Sequence, residues 1–157
     1  MVCFHWSDDT GRVTDKNLRH YGAMAAGGAG LIIGEATAVT KCGRLHETQL
    51  GLREDAQTEG WKRLADAVHS HDVPFFVQLL HAGVSGIDKK ADCPDNYILR
   101  DSKGERRAVG CRMTAGRIRE ITDDFIQAAA RAQRAGLDGV ELHGCQSYLL
   151  CQFFNRN

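Results

Sequence analysis

Three hydrogen-bonding side chains follow one short apolar segment near the end of the printed sequence. The segment Val140–His143 has the composition of a buried strand, and Gln146 and Tyr148 come within the next five positions. An apolar strand rarely ends in an imidazole, an amide and a phenol unless a ligand binds there. The spacing therefore predicts a binding site at the carboxyl end of this strand, built from groups that donate and accept hydrogen bonds.

The same arrangement occurs twice earlier in the chain. The apolar stretches 32–37 and 76–81 carry the polar residues Glu35 and Gln78, and the second stretch ends at His81. Parallel α/β barrels build their active sites from polar groups at the carboxyl ends of successive strands. The sequence therefore predicts that the three segments are neighbouring strands of an α/β fold.

The elements that would position these residues alternate between helix and strand. Apolar periodicity and capping residues predict helices at Thr14–Gly27, Trp61–His71 and Thr114–Gly136, strands at Leu31–Ile33, Phe75–Leu80 and Val140–His143, and the start of another helix at Tyr148–Phe154. Loops are expected at 40–55 and, as a long surface excursion with little periodicity, at 82–112. Such alternation is typical of right-handed βαβ units around a parallel sheet.

Composition argues against several classes of function. The 20 basic and 20 acidic residues cancel, so nucleic acid and anionic membranes are not expected as partners. Apolar runs are too short to span a bilayer, and the N-terminus lacks the features of a signal peptide. The six cysteines form no C-x-x-C pair, which favours free thiols in a reducing cytoplasm over disulfides or zinc, and we assign no metal.

Glycine spacing argues against a dinucleotide-binding Rossmann site. No Gly-x-Gly-x-x-Gly follows any predicted strand, and the cluster at 27–30 precedes a strand, where a tight turn is expected.

Several motifs, taken together and in order, resemble one known family. They are Gly30-Leu31-Ile32-Ile33-x-Glu35-Ala36-Thr37-Ala38-Val39, Gly43-Arg44, Leu50-Gly51-Leu52, Val77-Gln78-Leu79-x-His81-Ala82-Gly83, Asp124-Phe125-Ile126-x-Ala128-Ala129-x-Arg131-Ala132, Ala135-Gly136-x-Asp138-Gly139-Val140-Glu141-Leu142-His143-Gly144 and Tyr148-Leu149-Leu150-x-Gln152-Phe153. The chain resembles the Old Yellow Enzyme family of FMN-dependent NAD(P)H:flavin oxidoreductases and enoate reductases. Within it, the branch related to bacterial 2,4-dienoyl-CoA reductases is most similar.

The resemblance implies a (β/α)8 TIM barrel of which residues 1–157 form the N-terminal part of the FMN-binding domain. This partial barrel would contain roughly the second, third and fourth strands of the family's barrel, together with their helices. Open strand edges are then expected to favour self-association.

The resemblance also implies which residues bind the cofactor. Gln78 matches an amide that hydrogen-bonds the flavin pyrimidine, and Ala36 matches a small residue that lets the backbone approach the ring. Met1 and Val2 match a loop over the flavin, and His143 lies where it reaches both cofactor and substrate. NADH or NADPH would be the reductant.

The implied substrate is a small enone or enoyl compound. Phe4 matches an aromatic residue near the substrate. His143 and Gln146 match a pair that donates hydrogen bonds to the substrate carbonyl, although the family has His or Asn where Gln146 stands. Ser147 replaces the usual glycine. Tyr148 matches the proton donor to the α-carbon, since a phenol stays protonated at neutral pH.

Two other interpretations are open at this point. The chain could be a non-catalytic half barrel that acts as a structural or association module. Alternatively, a metal-dependent barrel hydrolase could use the side chains of Glu35, His81, Glu141 and His143, although these lack a compact ligand motif. On the flavin interpretation, His81 supports the cofactor site structurally.

Overall fold

The computed structural model describes residues 2–87, 90–100 and 102–154. A parallel sheet at its centre consists of strands β1 (Ile32–Ala38), β2 (Phe75–Leu80) and, later in the chain, β6 (Gly139–Leu142). The strand order is β1-β2-β6, and both pairings are parallel. The three strands predicted from the sequence are therefore present and adjacent.

In the described part of the chain, four α-helices lie before, between and after these strands. They are α1 (Asp15–Ala26), α2 (Thr58–His69), α3 (Ala115–Arg134) and α4 (Leu149–Phe154). Thr114 caps α3 by accepting a hydrogen bond from the Arg117 backbone N–H at 3.1 Å, as its position before the apolar stripe predicts. After the C-terminal end of α1, Gly28 adopts the left-handed conformation (φ 88°) and leads into β1, so the glycine cluster forms a turn. No helix in the described part of the chain has the length and apolarity needed to cross a bilayer.

One face of the sheet and the helices form the main core. Phe75, Val77 and Leu79 alternate along β2 and are fully buried on this face. Trp61 of α2 packs there and donates its indole N–H to the Gly51 carbonyl at 3.0 Å, so this buried donor is paired. Burying each such side chain contributes roughly 1.5–3 kcal/mol, so this face fixes the register of the sheet.

The register aligns three residues in a row across the sheet. Ala36 on β1 pairs with Gln78 on β2, and Gln78 pairs with Glu141 on β6. An irregularity in β1 between Gly34 and Ala36 shifts the pairing by one residue. A bulge of this kind re-aims side chains, and here it places Glu35 in the buried interior.

The region between β2 and α3 differs from the irregular excursion that its sequence predicts. It contains strands β3 (Lys90–Cys93), β4 (Tyr97–Arg100) and β5 (Arg106–Arg112), arranged in the order β3-β5-β4. β5 lies parallel to β3 and antiparallel to β4. Gly110 on β5 allows the side chains of Cys93 and Val84 to pack close to the backbone of this strand. A Cβ at position 110 would clash with Cys93 and lie 3.2 Å from Val84.

Candidate active site at the carboxyl ends of the strands

Gln78 is the best-defined polar residue of the central sheet. Its side chain is only 9% exposed, and its Nε2 donates a hydrogen bond to the Glu141 carboxylate on the neighbouring strand. Its Oε1 is buried and has no hydrogen-bond partner among the described residues. An unpaired buried acceptor costs about 1–3 kcal/mol, so a ligand that donates an N–H or O–H there would remove this cost.

A cavity of about 240 Å³ opens beside Gln78. Its wall includes Val2, Phe4, His20, Tyr21, Met24, Ile33, Gly34, Glu35, Gln78 and Glu141. Phe4 stacks on Trp6 with ring centroids 4.4 Å apart, which gives the cavity an aromatic wall. The structure thus brings three of the predicted site residues, Val2, Phe4 and Gln78, to one cavity.

Ala36 holds the N-terminal segment against the sheet. Its backbone N–H donates to the Val2 carbonyl at 3.0 Å, and its own carbonyl accepts from Gln49 Nε2 at 2.9 Å. The side chain is completely buried against Leu80 and Ala82. Met1, which the sequence predicts to contact the cofactor, lies outside the described residues.

Glu35 has a structural role that sequence reasoning missed. Its carboxylate accepts hydrogen bonds from the Phe4 backbone N–H at 2.8 Å and from Asn17 Nδ2 at 3.0 Å, so it ties the N-terminal segment and α1 to β1. Burial raises its pKa to about 7, although both hydrogen bonds oppose the shift. The sequence signal for this role was a glutamate within an apolar strand. The partners of Glu35 could not be predicted, because they are distant in sequence.

His143 and Tyr148 lie side by side beyond β6. Their ring centroids are 5.0 Å apart, and His143 is 4% exposed. Burial lowers the pKa of His143, which favours a neutral ring, and burial raises the pKa of Tyr148, which keeps the phenol protonated. The His143 backbone N–H donates to the Leu79 carbonyl at 3.0 Å, so β2 positions this residue.

Gln146 and Ser147 form a left-handed turn between these two rings. Their φ angles are 55° and 59°, values that residues other than glycine adopt at a cost of roughly 1–2 kcal/mol each. Both residues are exposed, and the Gln146 side chain opposes the lowering of the His143 pKa that burial causes. The predicted trio therefore lies together, with Gln146 on the solvent side.

His81 lies in a separate group of side chains and not with Glu141 and His143. In the described part of the chain, the single group of three potential metal ligands within 4.8 Å consists of Cys42, His81 and Asp92. The hydrolase interpretation, which needs Glu35, Glu141 and His143 beside His81, is therefore wrong. Gly43 packs against the His81 ring so closely that a Cβ would lie 2.7 Å from Cγ.

The arrangement offers complementary groups at one end of the sheet. Gln78 supplies a buried acceptor that lacks a donor. His143 supplies a neutral ring that can donate one hydrogen bond, and Tyr148 supplies a weakly acidic proton. Together they suit a polar aromatic ligand with N–H groups and a second molecule that bears a carbonyl.

Comparisons with known proteins show which family and which folds this chain is similar to. The model of the NADH:flavin oxidoreductase / NADH oxidase family matches residues 1–157. An NADPH dehydrogenase of Listeria welshimeri is 38% identical over 157 residues, which cover 99% of this chain and 45% of that protein. The chain therefore spans less than half the length of this curated relative.

Solved structures share the fold. Morphinone reductase superposes with a TM-score of 0.85 at 28% identity, covering 99% of this chain and 46% of that one. The Old Yellow Enzyme from Pichia sp. AKU4542 gives a TM-score of 0.91 at 26% identity, covering 99% and 43%. The predicted fold class, an N-terminal part of a (β/α)8 barrel, is confirmed.

Proposed function

Since the chain belongs to the NADH:flavin oxidoreductase / NADH oxidase family, we propose that it supplies the N-terminal part of an FMN-dependent ene-reductase. The substrates would be α,β-unsaturated carbonyl or enoyl compounds, and the reductant NADH or NADPH. The resemblance to the Old Yellow Enzyme family is confirmed by the family match and by the solved structures. The relative's name, NADPH dehydrogenase, supports a nicotinamide reductant.

One observation carries the proposal: the buried Gln78 Oε1 faces no donor among the described residues. The pyrimidine edge of a flavin alternates N–H and C=O groups, so it can satisfy this oxygen. Val2 and Ala36 would lie against the ring, with Met1 in the same segment, and His143 would contact it from the β6 side. FMN, when bound, supplies the hydride chemistry, and the protein positions the reacting groups.

The residues around His143 would act on the substrate. Neutral His143 and the amide of Gln146 donate hydrogen bonds to the carbonyl oxygen and stabilise the negative charge that develops there. Tyr148 Oη then gives its proton to the α-carbon. Phe4 covers the cavity wall on the Gln78 side and would limit the shape of the substrate.

A non-catalytic association module is the second candidate. Leu142 and Ile126 are 58% and 56% exposed, which is unusual for apolar side chains on a sheet and a long helix. Both candidates fit a cytoplasmic protein with reduced thiols, and all six cysteines are unpaired. Binding of FMN distinguishes them.

The test is an FMN titration of residues 1–157 co-expressed with the C-terminal half of the Listeria welshimeri relative. We expect binding, seen as quenching of flavin fluorescence, and weak or undetectable binding by residues 1–157 alone. Gln78→Met should weaken binding by about tenfold, because it removes the partner of a buried N–H. Gln127→Met, on the exposed face of α3, is the matched control. Equal affinity for both variants would contradict the proposal.

A further inference from the structure

Cys42 lies at the centre of a group of polar side chains outside the site described above. Arg117 Nη2 donates a hydrogen bond to Cys42 Sγ at 3.2 Å, and Thr40 Oγ1 lies 3.4 Å from the sulfur. His81 Nε2 is 4.0 Å away, and Asp92 Oδ2 is 3.7 Å away. This group joins the loop after β1 to the end of β2, to β3 and to α3.

The protonation of His81 decides what the group can bind. The Gly83 backbone N–H donates to His81 Nδ1 at 3.1 Å, so Nδ1 carries the lone pair and Nε2 carries the proton of the neutral ring. Burial lowers the pKa of His81 to about 4, which keeps the ring neutral. A protonated Nε2 cannot ligate a metal, and it turns a donor toward Cys42 instead.

Arg117 also argues against a metal ion. Its guanidinium makes three hydrogen bonds to the Asp92 carboxylate, the shortest at 2.8 Å from Nη2. The same Nη2 contacts Cys42. The positively charged guanidinium of Arg117 therefore already occupies the space between Cys42 Sγ and the Asp92 carboxylate, where a metal ion would bind. The Arg117 guanidinium and the neutral His81 ring turn N–H donors toward the sulfur, and the Asp92 carboxylate offers an acceptor for the thiol proton.

The half-buried Cys42 also lines a cavity of about 600 Å³ with an excess of positive charge. The wall contains the charged residues Lys41, Arg44, Arg53, Arg117, Glu54 and Asp124. Arg117 is paired with Asp92 and Glu120, which leaves three basic residues against two acidic ones. Arg44 and Arg53 bond backbone carbonyls, and neither has a carboxylate within 4.0 Å in the described ranges. Burial and the charge of Arg44 lower the pKa of Arg53. Such a cavity attracts anionic molecules.

We propose that Cys42 is a modification site that exchanges with small anionic peptide disulfides. The thiol proton leaves through Asp92 Oδ2 to water, and the sulfur attacks one sulfur of the disulfide. The S–S bond of the small molecule breaks, a mixed disulfide with Cys42 forms, and the other half departs as a thiolate that takes up a proton. The incoming disulfide is the oxidant, and no other reactant is needed.

The test measures the rate of adduct formation at each cysteine of the intact chain. The protein is incubated with glutathione disulfide or with neutral 2-hydroxyethyl disulfide, quenched with an alkylating reagent and mapped by mass spectrometry. We expect Cys42 to react with glutathione disulfide at least tenfold faster than Cys111, which is more exposed but not part of the cluster. A rate at Cys111 equal to or above that at Cys42 overturns the proposal.

Two charge reversals test the role of the cavity. Lys41→Glu should slow the reaction of Cys42 with glutathione disulfide severalfold and leave the reaction with the neutral disulfide unchanged. Lys16→Glu, on the exposed side of α1, should change neither rate. Arg117→Gln should slow Cys42 with both disulfides by about tenfold, since it removes a charged donor to the sulfur. Equal rates for Lys41→Glu and Lys16→Glu would overturn the selectivity for anions.

Discussion

At the scale of single residues, Glu35 and His81 are buried neutral for the same reason but affect stability in opposite directions. Burial raises the pKa of Glu35 from 4.5 to about 7 and lowers that of His81 from 6.5 to about 4. Between pH 4.5 and pH 7 the folded chain holds a proton on Glu35 that the unfolded chain has lost, so Glu35 makes the free energy of unfolding fall as pH rises. The unfolded chain holds a proton on His81 that the folded chain lacks, so this residue makes stability rise.

The two effects should nearly cancel in the parent protein, and variants should separate them. Glu35→Gln removes a loss of up to about 3 kcal/mol, so its stability relative to the parent should increase between pH 4.5 and pH 7. His81→Gln should show the opposite trend between pH 4 and pH 6.5. Urea unfolding across this range, of the chain assembled with a relative's C-terminal half, measures both differences. A difference between Glu35→Gln and the parent that stays constant with pH would show that Glu35 is already ionised.

Tyr148 tests the proposed chemistry in a barrel completed with a relative's C-terminal half. Tyr148→Phe removes the acidic proton and keeps the ring that packs on Ala36 and Leu80. Reduction of the alkene should therefore slow by about 10²-fold or more, while reduction of the flavin by NAD(P)H stays nearly unchanged. Stopped-flow measurement of each half-reaction decides between these outcomes. Equal loss in both half-reactions would remove Tyr148 from the role of proton donor.

At the scale of elements, the turn between β6 and α4 has two consecutive residues in the left-handed region. Ser147→Gly should stabilise the chain by about 0.5–1 kcal/mol, because glycine accepts φ 59° without the steric cost. Ser147→Ala, which keeps the Cβ, should give no gain and is the control. Thermal unfolding of the completed barrel measures the difference. A loss of stability in Ser147→Gly would mean that the exposed turn is rigid for another reason.

The same turn explains why Gln146 is expected to limit activity. Asn tolerates the left-handed region better than Gln and is one methylene shorter. Gln146→Asn removes one methylene from the side chain and should raise ene-reduction in the completed barrel, since misplacement of about 1 Å can cost about 10²-fold. Steady-state kcat/KM gives the answer. Unchanged activity would mean that the longer amide reaches the substrate equally well.

At the scale of the whole molecule, apolar surface remains exposed beside the last strand of the sheet. Val140 and Leu142 pair with Val77 and Leu79, whose side chains are fully buried, yet Val140 is 36% and Leu142 58% exposed. Ile126 on α3 adds further apolar area at 56% exposure. Surfaces of this kind, next to an unpaired parallel edge, favour association.

We therefore expect residues 1–157 to form oligomers or aggregates when expressed alone. The double variant Leu142→Lys with Ile126→Lys should shift the chain toward monomers, because charge opposes burial of this face. Ile87→Lys, at an apolar position that is 38% exposed outside the sheet, is the control and should have no effect. Sedimentation velocity distinguishes the species. A monodisperse monomer of the parent chain would contradict the expectation.

The sequence by itself determined the order of the main helices and strands, and the family. Apolar periodicity, the cap at Thr114 and the glycine turn after α1 are local signals, and they place most elements within three residues of the observed limits. The exception is β1, which ends at Ala38, five residues beyond the predicted end at Ile33. Polar residues at strand ends also identified Gln78, His143 and Tyr148 as candidates. The order of elements could be read from the sequence because each signal depends on neighbours in the chain, whereas the roles of the site residues stay predictions.

Only the tertiary structure decided which polar groups meet. The register places Gln78 beside Glu141, the bulge in β1 turns Glu35 toward Phe4 and Asn17, and β3 brings Asp92 to His81. The strands between β2 and α3 also lacked a clear sequence signal, because short strands in a small sheet are stabilised by pairing and packing over long sequence separations. Burial by residues distant in sequence raises the pKa of Glu35 and lowers that of His81, and no local pattern encodes this burial.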